Sequence, residues 1–252
     1  MSIPDGNSWF RLCRSHPQTR VRLFCFPFAG GGASIYRNWP TALPPTIEVC
    51  PIQLPGREER MREPAFTQVE PLCQALLPAI PPWLDRPFAM FGHSMGAVIA
   101  YELARDLELQ GTPPIHLFVS GQRAPHLPLG RPTSYDLSQE AFRKRLRELK
   151  GTPEAVLQDL ELMDLLLPLL RSDFELTETF RRESHTPLIC PVTAFGGIDD
   201  AEVSRSDLEA WRSATVASFQ LRLFPGDHFF IQSSARDVMR EIAHQLAGAG
   251  PT

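Results

Sequence analysis

Apolar residues come in six short runs along the chain, and several stretches between them have helical periodicity. The runs cover residues 21–26, 46–52, 87–92, 115–120, 188–195 and 219–224, and helical stretches lie near 34–43, 67–80, 94–110, 205–214 and 231–247. Strands that alternate with helices form a mainly parallel sheet with helices on both faces. We therefore predict an α/β fold, and the length of 252 residues suits a single domain over residues 1–252.

The connection between the fourth and fifth runs is much longer than the others. It spans residues 121–187, whereas a crossover between parallel strands needs about a dozen residues or more. Residues 138–150 are amphipathic, residues 160–170 are rich in leucine, and residues 173–182 favour a further helix. We predict that residues from about 123 to 187 form an inserted helical lid over a site. A bundle that only enlarges the core is the alternative.

The most specific chemical signal is the motif Gly92-His93-Ser94-Met95-Gly96, which follows the third apolar run and precedes a helix. This pattern is typical of a nucleophile elbow, in which a tight strand-to-helix turn lifts a serine hydroxyl out of the packed surface. The glycines let neighbouring backbone approach closely. We predict that Ser94 is a catalytic nucleophile, and an ordinary turn rich in glycine and serine is the alternative.

Candidate partners for Ser94 follow in the order acid, then histidine, that this architecture requires. Asp199 and Asp200 come after the fifth run, and His228 lies in a loop after the sixth. In such a triad the histidine takes the serine proton, and the acid holds the imidazole in the right tautomer. The spacing Gly-x-x-Asp-x-x-Val favours Asp200 over Asp199. His93 adjoins the nucleophile, where packing or a supporting contact is expected.

An oxyanion hole needs two hydrogen-bond donors near the nucleophile. The N–H of Met95, directly after Ser94, is one predicted donor. The other should come from the glycine-rich loop after the first apolar run, where Ala29 is preferred and Phe28 is the alternative. A phosphate-binding loop is disfavoured there, because the Gly-Lys-Ser/Thr ending is absent.

Five motifs in this order resemble those of the type II thioesterases that accompany modular polyketide and nonribosomal peptide synthases. They are Phe26-Pro27-Phe28-Ala29-Gly30-Gly31, Leu54-Pro55-Gly56-Arg57-Glu58-Glu59-Arg60, Gly92-His93-Ser94-Met95-Gly96-Ala97, Gly197-Ile198-Asp199-Asp200 and Gly226-Asp227-His228-Phe229-Phe230. The likeness covers about residues 20–248, and the medium-chain thioesterase of fatty acid synthesis is similar. It implies an α/β-hydrolase that clears stalled or aberrant acyl groups from the phosphopantetheine arms of acyl or peptidyl carrier proteins. The implied route is an acyl-serine intermediate with no cofactor.

The resemblance also implies that Phe28, His93 and Phe229 contact the substrate. A carboxylesterase or an acyltransferase of the same fold is the alternative, as is a medium-chain fatty acyl thioesterase. Two groups of basic residues are candidates for docking a carrier protein, one in a loop and one on the first lid helix. They comprise Arg57, Arg60 and Arg62, and Arg143, Lys144, Arg145 and Arg147.

Composition argues against several functional classes. With 25 basic and 29 acidic residues, the net charge of -4 gives no sign of nucleic-acid binding. No H-E-x-x-H motif or cysteine pairing at zinc-ligand spacing occurs, so no metal is expected. The five cysteines contain no C-x-x-C, which favours free thiols in the cytoplasm. Residues 1–7 lack the pattern of a signal peptide, and no apolar run is long enough to predict a membrane span.

Overall fold

The computed structural model describes residues 8–10, 12–13, 16–182 and 186–248. Its strands are β1 (Val21–Phe26), β2 (Ile47–Pro51), β3 (Phe88–His93), β4 (His116–Ser120), β5 (Val192–Gly197) and β6 (Phe219–Phe224). They form one sheet in the order β2-β1-β3-β4-β5-β6, and every neighbouring pair is parallel. The predicted parallel α/β sheet is thereby confirmed. Residues 1–7, for which no signal peptide is predicted, lie outside the described residues.

Helices connect the strands. They are α1 (Trp39–Ala42), α2 (Val69–Leu76), α3 (Met95–Leu109), α4 (Gln139–Leu149), α5 (Glu154–Gln158), α6 (Leu160–Thr179), α7 (Arg205–Glu209), α8 (Phe230–Ser233) and α9 (Ala235–Ala247). The helix predicted near 34–43 is instead a 3₁₀ turn at Ala33–Tyr36 followed by the single turn of α1. Pro40 has no N–H to donate back to Tyr36, so a continuous α-helix cannot pass through it.

Both faces of the sheet are covered, so successive residues of the central strands are buried on alternate sides. In β1, Leu23 and Cys25 pack in the cluster that includes side chains of α1 and α9. Phe24 and Phe26 pack in the opposite cluster, with side chains of α2 and α3. Burial on both faces explains why the central strands are continuous apolar runs rather than alternating patterns.

The long connection between β4 and β5 contains α4, α5 and α6, which we call the insert. Its helices share a small apolar core comprising Phe142, Leu146, Leu157, Met163, Leu167, Leu170 and Phe174. The side chains of Ser138 and Asp159 cap α4 and α6 by accepting backbone N–H groups at 3.3 Å and 3.0 Å. The prediction of two separate helices at 160–170 and 173–182 is wrong. Residues 160–179 form the single helix α6, which continues through Pro168, and residues 180–182 lie beyond its end.

Candidate active site

The topology places one crevice at the carboxyl edge of the sheet. From β1 the chain moves to β2 on one side and then returns to β3 on the other, so the strand order reverses between β1 and β3. Ligands of open α/β sheets bind outside the carboxyl ends of the strands at such a point. The glycine-rich loop follows β1, and the predicted elbow follows β3.

The backbone at Ser94 is strained. Ser94 has φ 52° and ψ -117°, a region that non-glycine residues rarely occupy and that is found at functional sites. A Cβ atom on Gly92 would overlap the backbone of Gly96, and one on Gly96 would overlap the carbonyl oxygen of Phe26. Both glycines of the motif are therefore required by the close approach of α3 to β3 and β1. The Ser94 N–H donates to the Ser120 carbonyl oxygen at 2.7 Å.

Loops after β5 and β6 bring Asp200 to His228. The Nδ1 atom of His228 lies 2.9 Å from Oδ2 of Asp200. The other carboxylate oxygen accepts the backbone N–H groups of Glu202 at 2.8 Å and Val203 at 3.2 Å. The Asp200 side chain is only 1% exposed, so its orientation is fixed. Because Nδ1 is held by the carboxylate, Nε2 is the imidazole atom left for proton transfer.

Asp199, the alternative acid, is placed differently. It is exposed, and its backbone N–H donates to the carbonyl oxygen of Gly226 at 3.0 Å. Among the described residues, Asp200 is the carboxylate within 4.0 Å of the His228 ring nitrogens.

His93 is fully buried beside His228, with ring centroids 5.2 Å apart. Its Nδ1 atom lies 2.9 Å from the hydroxyl of Ser120. Burial holds the pKa of His93 well below its usual value, and the neighbouring His228 lowers that pKa further. The ring is therefore neutral at pH 7. Its side chain is not among those that line the cavity, and the ring packs behind the surface, edge-on to Phe28. A contact between His93 and the substrate stays a prediction.

The predicted oxyanion donors come from two loops. Met95 begins α3, and the first N–H groups of a helix have no intrahelical acceptor. In the loop after β1, the N–H of Gly31 donates to the carbonyl oxygen of Phe28 at 2.9 Å. The N–H of Gly30 donates to the carboxylate of Asp173 at 2.7 Å. Among the described residues, neither Ala29 nor Phe28 has an acceptor for its N–H. Both remain available as the second donor.

An ion pair joins the insert to this loop, and sequence reasoning did not find it. Arg57 donates to both carboxylate oxygens of Asp173, at 2.9 Å and 2.8 Å, and to the carbonyl oxygen of Gly31 at 3.2 Å. The side chains are 5% and 1% exposed. Gly30, with φ +77°, lies so close to α6 that a Cβ would sit 2.6 Å from Leu170. We call the interactions of Asp173 with Arg57 and with the N–H of Gly30 the insert–loop contact.

A cavity opens above Ser94, between the sheet edge and the insert. Ser94, His228, Phe28, Ala29 and Phe229 contribute from the sheet edge. The insert supplies mainly apolar side chains, namely Leu146, Leu149, Leu170 and Phe174, and a polar wall lies between. Phe28 and Phe229 contact each other edge-on, with ring centroids 5.2 Å apart.

The expected docking groups are largely engaged within the protein. Arg57 and Arg60 are 5% and 7% exposed, so these two candidates do not present their charges on the surface. Arg60 donates to Glu63 and to the carbonyl oxygen of Gln53. On α4 the basic side chains pair with nearby carboxylates: Arg143 with Asp164, Lys144 with Glu148, Arg145 with Glu202 and Arg147 with Glu154. Arg62 is exposed.

The described residues contain neither a metal-binding cluster nor a membrane-spanning helix. No cluster of three or more His, Cys, Asp or Glu side chains is arranged to hold a metal ion. No helix there has the length and apolar character that crossing a membrane requires. The five cysteines are free and buried.

Comparisons with known proteins give a consistent result. The family described as "Thioesterase domain" matches residues 21–246. The gramicidin S biosynthesis protein GrsT of Aneurinibacillus migulanus is 44% identical over 245 residues, which cover 97% of this chain and 96% of GrsT. The solved structure of RedJ, a thioesterase of the prodiginine pathway in Streptomyces coelicolor, is 40% identical with a TM-score of 0.84 and covers 90% of this chain and 86% of RedJ. The type II thioesterase BorB of the borrelidin cluster is 37% identical with a TM-score of 0.86, over 94% of this chain and 97% of BorB.

Proposed function

Because this chain belongs to the thioesterase family and is a serine-hydrolase enzyme of the α/β-hydrolase fold, we propose that it removes acyl groups from the phosphopantetheine arms of acyl or peptidyl carrier proteins. In this role it would edit stalled or aberrant units during polyketide or nonribosomal peptide synthesis. One observation carries the proposal. Ser94 and His228, which is held by Asp200, face one cavity under a helical insert, in a chain that matches thioesterases of such pathways over nearly its whole length.

The acylation step uses three side chains. His228 takes the proton of the Ser94 hydroxyl on Nε2, while the serine oxygen attacks the thioester carbonyl carbon. Asp200 holds the imidazole in the tautomer with a proton on Nδ1 and stabilises the imidazolium that forms. The contact at 2.9 Å between Nδ1 and the carboxylate, itself fixed by two backbone N–H groups, supports these roles.

The oxyanion of the tetrahedral intermediate accepts hydrogen bonds from the N–H groups of Met95 and Ala29. Their fixed orientation stabilises charge that develops only in the transition state. When the intermediate collapses, the carbon–sulfur bond breaks, and His228 gives its proton to the departing thiolate. The acyl group is then an ester of Ser94, and the pantetheine arm leaves as a free thiol.

Deacylation repeats the same chemistry with water. His228 takes a proton from a water molecule as that water attacks the acyl-serine, and then returns a proton to the Ser94 oxygen. The released products are a carboxylic acid and the regenerated serine. His228 makes every proton transfer in this scheme and backbone N–H groups stabilise the oxyanion, so we propose that the reaction needs no cofactor. The five free, buried thiols suit a reducing compartment, and the cytoplasm stays our prediction.

We further propose that the insert acts as a lid. Apolar side chains of α4 and α6 line the cavity above Ser94, and they would cover the acyl chain. The lid assignment of about 123–187, within one domain, rests on this position and on the family resemblance.

The proposal is tested by measuring the intact mass of an acylated holo-carrier protein before and after incubation with the enzyme. We expect the mass to fall to that of the holo-carrier. The Ser94→Ala variant should lose about 10⁴-fold or more in rate and keep the melting temperature of the parent, since Ser94 is not part of the packed core. Hydrolysis of oxyesters in preference to the thioester would instead favour a carboxylesterase.

A further inference from the structure

The cavity has a polar wall whose charges are not all accounted for by the proposed chemistry. This wall consists of Gln122, Arg123, Arg131, Thr177, Glu178 and Glu202. The opposite side is formed by leucine and phenylalanine side chains. A cavity for plain alkyl chains would need only the apolar side.

Most charges of the polar wall are paired with one another. Arg131 lies 2.8 Å from Glu178 and 3.6 Å from Glu202. The second carboxylate oxygen of Glu178 accepts two backbone N–H groups, those of Ser134 at 2.6 Å and Tyr135 at 3.1 Å. Glu202 also accepts from Arg145 at 2.9 Å. These groups are therefore engaged in holding the wall together.

Arg123 is the exception. A guanidinium has five N–H donors, and that of Arg123 makes one long hydrogen bond, from Nε to the carbonyl oxygen of Leu127 at 3.5 Å. Among the described residues, no carboxylate lies within 4.0 Å of it. Its terminal nitrogens are not among the buried atoms that lack a partner, so they are accessible to solvent. Its four terminal N–H groups are therefore accessible and without an acceptor in the described part of the chain, on a residue that borders the cavity above Ser94.

The surroundings of Arg123 make those free donors energetically important. The side chain is half-buried; burial lowers its pKa, and the positive charge of Arg131 acts in the same direction. The carboxylates of Asp207 and Glu178 oppose this effect only from a distance. An alkyl chain seated against the guanidinium would displace its remaining water without offering an acceptor, and an unpaired buried charge is unfavourable. An oxygen atom on the chain would satisfy the donors instead.

We propose that Arg123 forms a recognition subsite for acyl groups that carry an oxygen acceptor beyond the thioester carbonyl. A keto, hydroxyl or carboxylate oxygen on the chain accepts from the terminal nitrogens, while its carbon atoms lie against the apolar side. This inference rests on the proposed function, because it assigns the acyl chain to the cavity above Ser94. It separates the enzyme from one selective for plain fatty acyl chains.

The test compares four-carbon N-acetylcysteamine thioesters: butyryl, 3-hydroxybutyryl and 3-oxobutyryl. Because a keto group also activates the thioester chemically, each kcat/KM is divided by the rate constant for alkaline hydrolysis of the same compound. We expect the parent to favour the oxygenated chains about tenfold or more, which is the range of one charge-assisted hydrogen bond. Arg123→Met, which is apolar and of similar length, should lower this preference about tenfold.

Two further variants make the result specific. Arg123→Lys keeps a positive charge and should retain part of the preference. Arg143→Met removes an arginine that pairs with Asp164 outside the cavity and should leave the preference unchanged. The same ratio in the parent and in Arg123→Met would overturn the inference. If Arg123→Met does not fold, the measurement on the parent is sufficient. A normalised kcat/KM for the butyryl compound that equals or exceeds those of the oxygenated compounds would contradict the proposed subsite. Failure to hydrolyse any thioester would instead overturn the proposed function.

Discussion

The sheet edge and the insert line the same cavity, but different interactions hold them in position. At the sheet edge, backbone geometry fixes the groups: Ser94 sits at a strained φ of 52° between two required glycines, and Asp200 is held by two backbone N–H groups. The insert is joined to the rest of the chain through side chains: Leu176 of α6 packs into the main core, and ion pairs join Arg57 to Asp173 and Arg145 to Glu202.

This difference has a physical meaning. Backbone hydrogen bonds and close glycine contacts restrict a group to one geometry, which suits chemistry that depends on sub-ångström positioning. Ion pairs between long side chains hold two elements together while each keeps its own packing. Backbone contacts therefore fix the groups at the sheet edge, whereas side-chain contacts hold the insert, most of whose buried side chains form an apolar cluster of their own.

The largest effect should come from the acid at the sheet edge. Asp200→Asn keeps the shape of the side chain but favours the wrong tautomer of His228, so we expect kcat to fall about 10⁴-fold. Asp199→Asn is the matched control and should change kcat by less than about threefold, because Asp199 is exposed. Steady-state kinetics on one thioester measures both. A larger loss in Asp199→Asn would move the acid role to that residue.

Backbone packing at the elbow should give the next largest effect. In Gly96→Ala the new methyl group would overlap the carbonyl oxygen of Phe26, and backbone cannot move aside as a flexible side chain can. We expect a loss of about 4 kcal/mol or more in the free energy of unfolding. Gly111→Ala is the control. It has open space around it but φ +78°, so only about 1 kcal/mol should be lost. Urea unfolding measures both variants. Equal free energies of unfolding for the two would contradict the packing argument.

Breaking the insert–loop contact tests how the insert is held in position. Asp173→Asn leaves the buried guanidinium of Arg57 without its counter-charge, which should lower the free energy of unfolding by about 3 kcal/mol. It should also lower kcat more than it raises KM, because Asp173 holds the loop that carries Ala29. Asp164→Asn removes the 65% exposed partner of Arg143 and should change neither. Full stability and activity of Asp173→Asn would show that the insert is held in another way.

A change in pH should act on the sheet through a buried histidine. Burial lowers the pKa of His116 in β4 to about 4, whereas an unfolded histidine titrates near 6.5. Below about pH 6.5 the unfolded chain therefore binds a proton that the folded chain does not, so stability is complete above that pH and falls towards pH 4. At pH 5 the loss should be about 2 kcal/mol.

The variant His116→Gln should remove this loss. Glutamine can keep a hydrogen bond to Thr193, which now lies 2.8 Å from the imidazole, but it does not titrate. Urea unfolding at pH 7 and pH 5 should therefore show a pH difference about 2 kcal/mol smaller than in the parent. An unchanged difference would mean that other groups determine the acid sensitivity of the sheet.

Sequence patterns predict the sheet edge well and the insert poorly, for a physical reason. Strands and the elbow leave local signals: apolar runs, and glycines at positions where backbone segments touch. The fifth strand still begins at Val192 rather than at 188, because Pro191 cannot donate to the ladder. Arg57 and Asp173 are 116 positions apart, and no local periodicity records such a pairing. In the sequence, Arg57 therefore has the features of a free surface charge, and the pattern divides α6 at a point where the helix continues.

If the insert moves as the proposed lid, the shared acceptor in the insert–loop contact links access to the cavity with catalysis. One carboxylate on α6 binds both the guanidinium of Arg57 and the N–H of Gly30, next to the proposed donor Ala29. A movement of α6 that widened the cavity would remove both contacts together and release the loop. The open form would then lack an ordered oxyanion site, so only the closed form would be competent for hydrolysis. A substrate that stabilises the closed form raises the population of active enzyme by that same interaction energy.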